Sequence, residues 1–410
     1  MVKSVNKALI VLIFIGQFLC QGIIIPGINI PVYLGFMVLL GGVMLLSLTK
    51  SLDRKIETLD MVIWLLFIDI LLVSLINLRI DAGRLMLIFF SFLFMYAIKR
   101  LAKDRENIKK IYIVYIIIIL ISSLVAIAQF MGMGWSVALW NVFHSSTKIE
   151  GALMDKRFLG LAPDILQFGY HSSTAFIITL FMKFEKKKWL KPILIAIFGF
   201  AIIINNTRSA WIATVVAILI YLITRKNRRT TKAIAFISFA MILVIVAWIA
   251  FASGIFSDTR FSEGDTGTTA RVPMLLTALN HFAHYPFGMG IYSVDPNLVV
   301  GADASEYSIV IENTAHNLIG NCAAAYGFIG LALLIALYVL AFKNYKLTKI
   351  KLAGDNNEYL IAMVCLIGLI INAFFHNNYI LNGELSSFVF FGVLFAFPAY
   401  LREKENNKTT

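Results

Sequence analysis

Apolar residues along this chain come in long blocks separated by short clusters of Lys and Arg. The blocks approach the ~20 residues that a helix needs to cross a ~30 Å hydrocarbon core. Read one by one, they predict twelve membrane helices over about 8–25, 31–49, 61–78, 82–98, 111–131, 158–182, 192–206, 209–224, 233–252, 314–342, 359–375 and 386–401. The first block follows Lys3 and Lys7 in the manner of a signal peptide. It nevertheless runs unbroken to Ile25 and meets Pro26 with no Ala-x-Ala site, so it reads as an uncleaved span. The expected fold class is all-α: a polytopic membrane helix bundle forming one integral domain over 1–410.

Composition agrees. Of the 410 residues 60% are apolar and 14% charged, against roughly 45–50% and about 25% in ordinary globular chains. This excludes a soluble enzyme, a nucleic-acid-binding module and a secreted disulfide scaffold. The net charge of +13 is an orientation signal. With both termini on the cytoplasmic side, 28 of the 36 basic residues fall in inner segments, and ten of the 23 acidic residues do. That asymmetry is the positive-inside bias, and it brings the inner face against anionic lipid headgroups rather than nucleic acid. Cys20, Cys322 and Cys365 all lie in apolar runs and make neither a disulfide framework nor a zinc site.

Two outer connections are long, Gly132–Arg157 and Ala252–Asn313. The second, a large extracytoplasmic loop over 252–313, carries helix signals. Thr268 and Thr269 can cap, Pro273 suits a first turn, and Leu275, Leu279 and Phe282 share a face. A short amphipathic helix on the outer membrane surface is expected, with Arg271 at its start. The six histidines, His144, His171, His281, His284, His316 and His376, all fall in outer loops or in spans reachable from them. Proton-transfer chemistry is therefore expected on that side.

Asn205-Asn206-Thr207-Arg208-Ser209 interrupts two apolar helices. Arginine at bilayer depth costs about 2.5–3.5 kcal/mol unless paired or solvated, which suggests an anion site in a wet cavity or a snorkelling hairpin. Arg157 precedes Phe158-Leu159-Gly160 at the start of a span. His316 opens another, ahead of a small-residue stripe of Gly320, Ala324, Gly327 and Gly330 that permits close helix approach. His281, His284 and His376 are weaker candidates, readable as loop or turn polar groups.

Three elements in order resemble a known family: Thr207-Arg208-Ser209-Ala210-Trp211; Arg271 followed by His284-Tyr285-Pro286-Phe287-Gly288-Met289-Gly290; and His316-Asn317 with Tyr326-Gly327-Phe328-Ile329-Gly330 beyond. Together they are similar to the O-antigen ligase and O-antigen polymerase superfamily over about 155–335. An earlier element, Arg157-Phe158-Leu159-Gly160-Leu161-Ala162-Pro163-Asp164, resembles that family's Arg…Gly…Asn-Pro-Asn region. It departs by carrying Ala162 and Asp164 where asparagines are common, and Tyr326 stands where many ligases have glutamate.

The resemblance implies a membrane-embedded, GT-C-type, inverting glycosyltransferase without metal or other cofactor. Its donor would be an undecaprenyl-diphosphate-linked oligosaccharide, and its setting the outer face of a bacterial cytoplasmic (inner) membrane. Carried over residue by residue, Arg208 and Arg271 would hold the diphosphate with help from Arg157, and His316 would be the base. His284, Asn317, Tyr326 and His376 would contact acceptor or donor. The expected activity is polymerisation of repeat units into surface polysaccharide, with a flippase and a chain-length regulator as further partners. The alternatives are a ligase moving finished polysaccharide to lipid A core or another acceptor, and a secondary transporter or flippase.

Overall fold

A computed structural model describes residues 2–19, 24–25, 30–48, 57–103, 105–143, 156–185, 187–224, 270–290, 294–303, 306–312, 315–352, 357–376, 380–382 and 384–409. The expected span 233–252, the capping residues Thr268 and Thr269, and His144 lie outside the described residues. Within them the chain is an all-helical, polytopic membrane bundle. Its helices are α1 (Val2–Phe18), α2 (Val32–Leu48), α3 (Thr58–Ile76), α4 (Ala82–Leu101), α5 (Arg105–Phe130), α6 (Gly134–Phe143) and α7 (Ile165–Phe181). They continue with α8 (Leu190–Asn205), α9 (Arg208–Thr224), α10 (Arg271–His284), α11 (Tyr307–Glu312), α12 (Leu318–Lys351), α13 (Asn357–Phe375) and α14 (Leu385–Thr409). Among the described residues a single strand pairing is present, two residues long and antiparallel, Ile24–Ile25 with Ile30–Pro31, between α1 and α2.

Five of these helices, α3, α4, α5, α12 and α13, are long and apolar enough to cross a membrane. Their outward faces confirm the solvent. On α3, Trp64, Leu65, Ile68, Leu72 and Ile76 are all exposed, an apolar stripe that lipid tolerates and water does not. The opposite case is α14, whose residues from Leu385 to Phe397 are buried on every face, as expected of a helix apolar all round. It packs most extensively against α4.

Polar ties hold each end of the bundle. At one end Lys99 meets Glu57 at 2.8 Å and Arg105 meets Glu358 at 2.6 Å, while Asn357 donates to the Phe181 carbonyl and accepts from Tyr221. These residues border the basic segments that the charge bias assigns to the inner face. At the other end lie the starts of α7, α9 and α12 and the finishes of α8 and α13.

Several expected spans begin or end elsewhere. The first helix stops at Phe18 rather than continuing to Ile25. The segment 158–164, expected to be helical, is a turn: Gly160 has φ +61°, where an added Cβ would strike the Ser122 carbonyl, and Asp164 caps α7 by accepting from the Gln167 N–H at 2.7 Å. The long helix α12 starts at Leu318, runs on to Lys351, and breaks at Gly327, whose φ 65°, ψ −164° is open to glycine alone.

The loop helix forms as expected, with Pro273 in its first turn, but it buries a different face. Met274, Thr277, Ala278 and His281 are covered, whereas Leu279 is exposed and Leu275 half-buried. It lies on α12, where Gly320 leaves room for Leu275 and Ala278. Beyond it, the loop enters the break in α12. Met289 and Gly290 donate to the Ala324 and Ala325 carbonyls, and Phe328 donates to the Pro286 carbonyl at 2.9 Å. Gly288, at φ +91°, abuts the backbone of Ala325–Gly327. The Pro286–Gly290 and Tyr326–Gly330 elements are thus the two halves of one backbone joint.

Candidate active site

The polar hairpin between α8 and α9 is built by Asn206, which takes the left-handed conformation (φ 52°, ψ 40°) that short amide side chains tolerate. Its walls are tied from two sides. The Asn205 side chain donates to the Phe158 and Ile165 carbonyls. Arg157, 7% exposed, donates through Nε to the Asn205 carbonyl at 3.0 Å and through a terminal nitrogen to Thr207 Oγ1 at 2.7 Å. Gly169 of α7 lets this turn sit down, since a Cβ there would meet Asn205 Oδ1 and Thr207. The Arg157 turn is itself clamped: Gln129 both donates to and accepts from the Gly160 backbone, at 3.1 and 2.9 Å. Arg157 therefore buttresses the hairpin that presents Arg208 as the first, exposed residue of α9.

His316 sits in the turn before α12 with φ 45°, a left-handed backbone that costs a non-glycine residue about 1–2 kcal/mol. Such strain persists where the surroundings over-determine it, and they do. Asn321 Oδ1 accepts from the Ala315 N–H, and Asn317 caps α12 by accepting from the Ile319 and Gly320 N–H groups. Asn317 also donates to the Phe374 carbonyl at 2.9 Å. That bond carries the end of α13, and with it His376, to the His316 turn.

His376 completes the cluster. It is buried, and its Nε2 pairs with Ser209 Oγ at 2.8 Å, next to Arg208. Burial first, then the charges of Arg271, His316 and Arg157, lower it to a pKa of about 3. His316 is lowered too, by burial and then by Arg271. These couplings place Arg157, Arg271, His316, His376 and Ser209 in one neighbourhood at one end of the bundle. A neutral imidazole at His316, beside a guanidinium, is equipped to accept a proton near neutral pH. Guanidinium forks are equipped to hold phosphate oxygens.

Four sequence candidates take other places. His281 is structural: Nδ1 donates to the Thr277 carbonyl at 2.7 Å and Nε2 accepts from the Asp295 N–H at 2.8 Å. His284 is exposed and donates to the Asn280 carbonyl. It lies thirteen residues, or roughly 20 Å of helix, from Arg271. Tyr326 is buried against Arg84, by the break in α12. Asn317 is a cap and a tie. Sequence reading passed over Gln129, Ser209, Asn321 and Asn205's double role, because each is an ordinary polar residue whose partner is distant in the chain. Among the described residues no group of three or more His, Cys, Asp or Glu is placed to hold a metal ion.

Residues 193–335 match the sequence model of the family described as O-Antigen ligase. The matched region contains Arg208, Arg271 and His316, whereas Arg157 and His376 lie outside it. The chain is also 24% identical over 380 residues to the ComP-specific O-oligosaccharyltransferase of Acinetobacter baylyi, a similarity covering 87% of this chain and 65% of that protein. The chain thus spans about two thirds of that relative's length. Within the matched region Arg271 and His316 both bear on His376, and Arg208 adjoins the Ser209 that hydrogen-bonds it.

Proposed function

We propose that this protein is a membrane glycosyltransferase that polymerises undecaprenyl-diphosphate-linked oligosaccharide repeat units on the outer face of the bacterial cytoplasmic membrane, with both termini inside. The observation that carries the reading is the convergence of Arg271, Arg157 and His316 on His376, with Ser209 joining Arg208 to the same group. A polyprenyl diphosphate needs an apolar bilayer-facing bundle for its tail and fixed positive charge for its head.

In the proposed transfer, neutral His316 accepts the proton of an acceptor sugar hydroxyl. The hydroxyl oxygen attacks the anomeric carbon from the side opposite the diphosphate. The carbon–oxygen bond to the phosphate breaks, and undecaprenyl diphosphate leaves with the bonding pair, inverting the anomeric centre. Arg208 and Arg271 stabilise the charge growing on the leaving group, while Arg157 holds the hairpin and adds its field.

The test is genetic and chemical. Deletion of the gene leaves single repeat units at the surface, and the His316→Ala and Arg208→Ala variants reproduce that phenotype while still inserting in the membrane. Near-normal chain length from either variant removes that residue from the mechanism. A second reading, transfer of a finished glycan to a separate acceptor, is favoured by the similarity to an O-oligosaccharyltransferase. Long unattached polymer in the deletion strain would support it instead.

A further inference from the structure

The hairpin presents a second polar group beside the Arg208 guanidinium. Thr207 stands just before α9, where a threonine hydroxyl ordinarily accepts from the helix's second or third N–H. Here Thr207 Oγ1 instead accepts from Arg157 and donates to Asn205 Oδ1. The Ala210 and Trp211 N–H groups turn back to the Thr207 carbonyl. The Asn205 carbonyl, to which a serine four residues on often back-bonds, is engaged by Arg157 Nε. Among the described residues Ser209 Oγ pairs with His376 Nε2 alone.

His376 is 6% exposed, and its Nδ1 is buried with no hydrogen-bond partner among the described residues. A neutral imidazole carries one ring proton. A buried N–H left without an acceptor is rarer than an unused lone pair, so a bare lone pair at Nδ1 is favoured over an N–H there. The proton then sits on Nε2 and is donated to Ser209 Oγ. The serine hydroxyl hydrogen is left to donate elsewhere, at the opening of a helix whose N-terminal dipole favours anions.

We propose that Ser209 and His376 form a phosphate subsite: the Ser209 hydroxyl, oriented by His376, donates to a diphosphate oxygen held by Arg208. His376 is the positioning residue behind that contact. The subsite rests on the diphosphate reading above.

The test uses full-length protein in detergent micelles, with undecaprenyl diphosphate and undecaprenyl monophosphate as probes, and steady-state transfer kinetics. Ser209→Ala and His376→Phe should each weaken diphosphate binding by about tenfold and raise the donor KM more than they lower kcat. The double variant should be no weaker than either single one, because both remove the same contact. His376→Gln, whose amide can donate where Nε2 did, should restore binding to within about threefold of wild type. Wild-type affinity in Ser209→Ala, or additive losses in the double variant, would overturn the subsite while leaving the diphosphate reading intact. A wild-type protein that does not prefer diphosphate over monophosphate would overturn both.

Discussion

Asn317 Nδ2 donates to the Phe374 carbonyl at 2.9 Å, across 57 residues of sequence. The same side chain caps α12 through its oxygen. One amide thus sets the start of the helix behind His316 and the end of the helix before His376. Asn317→Asp keeps the cap and removes the donor. It should lower kcat by roughly tenfold or more, through misplacement of the two histidines, while costing about 1 kcal/mol of stability. Transfer kinetics beside a detergent melting curve check this, and equal activity in Asn317→Asp would separate the tie from the chemistry.

Burial, and then Arg271, hold His316 below the ordinary histidine pKa. If His316 is the base, the acid limb of kcat/KM lies below about 6.5, and activity is flat through neutrality. Arg271→Gln removes the cationic contribution but not the burial. The limb should then move upward, toward 6.5 without passing it, alongside a large loss of rate. A pH–rate profile of the residual activity measures this, and a downward or absent shift would mean that the two groups are not coupled.

Acid should also weaken the fold through His376. Its pKa of about 3 in the folded protein lies below the ~6.5 of an exposed histidine. The unfolded chain therefore binds a proton that the folded one refuses, and stability falls as pH drops from about 6.5 toward 3. Melting curves of wild type and His376→Gln across that window should diverge, the variant losing less on acidification.

The joint between Gly327 and Gly288 is backbone against backbone. Gly327→Ala places a Cβ on the Phe287 carbonyl carbon and the Pro286 oxygen, at a φ of 65°. Strain and displaced hydrogen bonds should together cost more than about 2 kcal/mol, read as a lower melting temperature. The same substitution at Gly42, where nothing lies within 4 Å of an added Cβ, should be neutral or slightly stabilising in its helix.

At the opposite end of the bundle the two ion pairs should respond unequally. Lys99 is 2% exposed against Glu57, whereas Arg105 is 35% exposed against Glu358. Lys99→Ala removes the cation from a largely buried carboxylate and should cost about 3 kcal/mol. Arg105→Ala should cost about 1 kcal/mol or less, because solvent already screens that pair. Specific activity of the surviving folded protein should be unchanged in both, as neither touches the catalytic end.

The long apolar helices and their order were readable from the chain alone, whereas their exact ends and the short helices α6 and α11 were not. A bilayer forces each apolar run to satisfy its own backbone, so a run of sufficient length is a helix whatever its neighbours do. Arg208 stands out in the chain because a guanidinium between apolar spans is costly, whereas Arg271 and His316 are singled out by the family resemblance. Tertiary structure decided which helix ends meet. Arg157 joins the hairpin at Asn205 and Thr207, 48 and 50 residues on, and Ser209 reaches His376 across 167. It also decided that Gly327 breaks α12 to receive the Pro286–Gly290 loop, and that Asn317 is a tie. Hydropathy is a property of each segment, whereas a hydrogen bond between distant turns depends on the geometry of every helix packed between them.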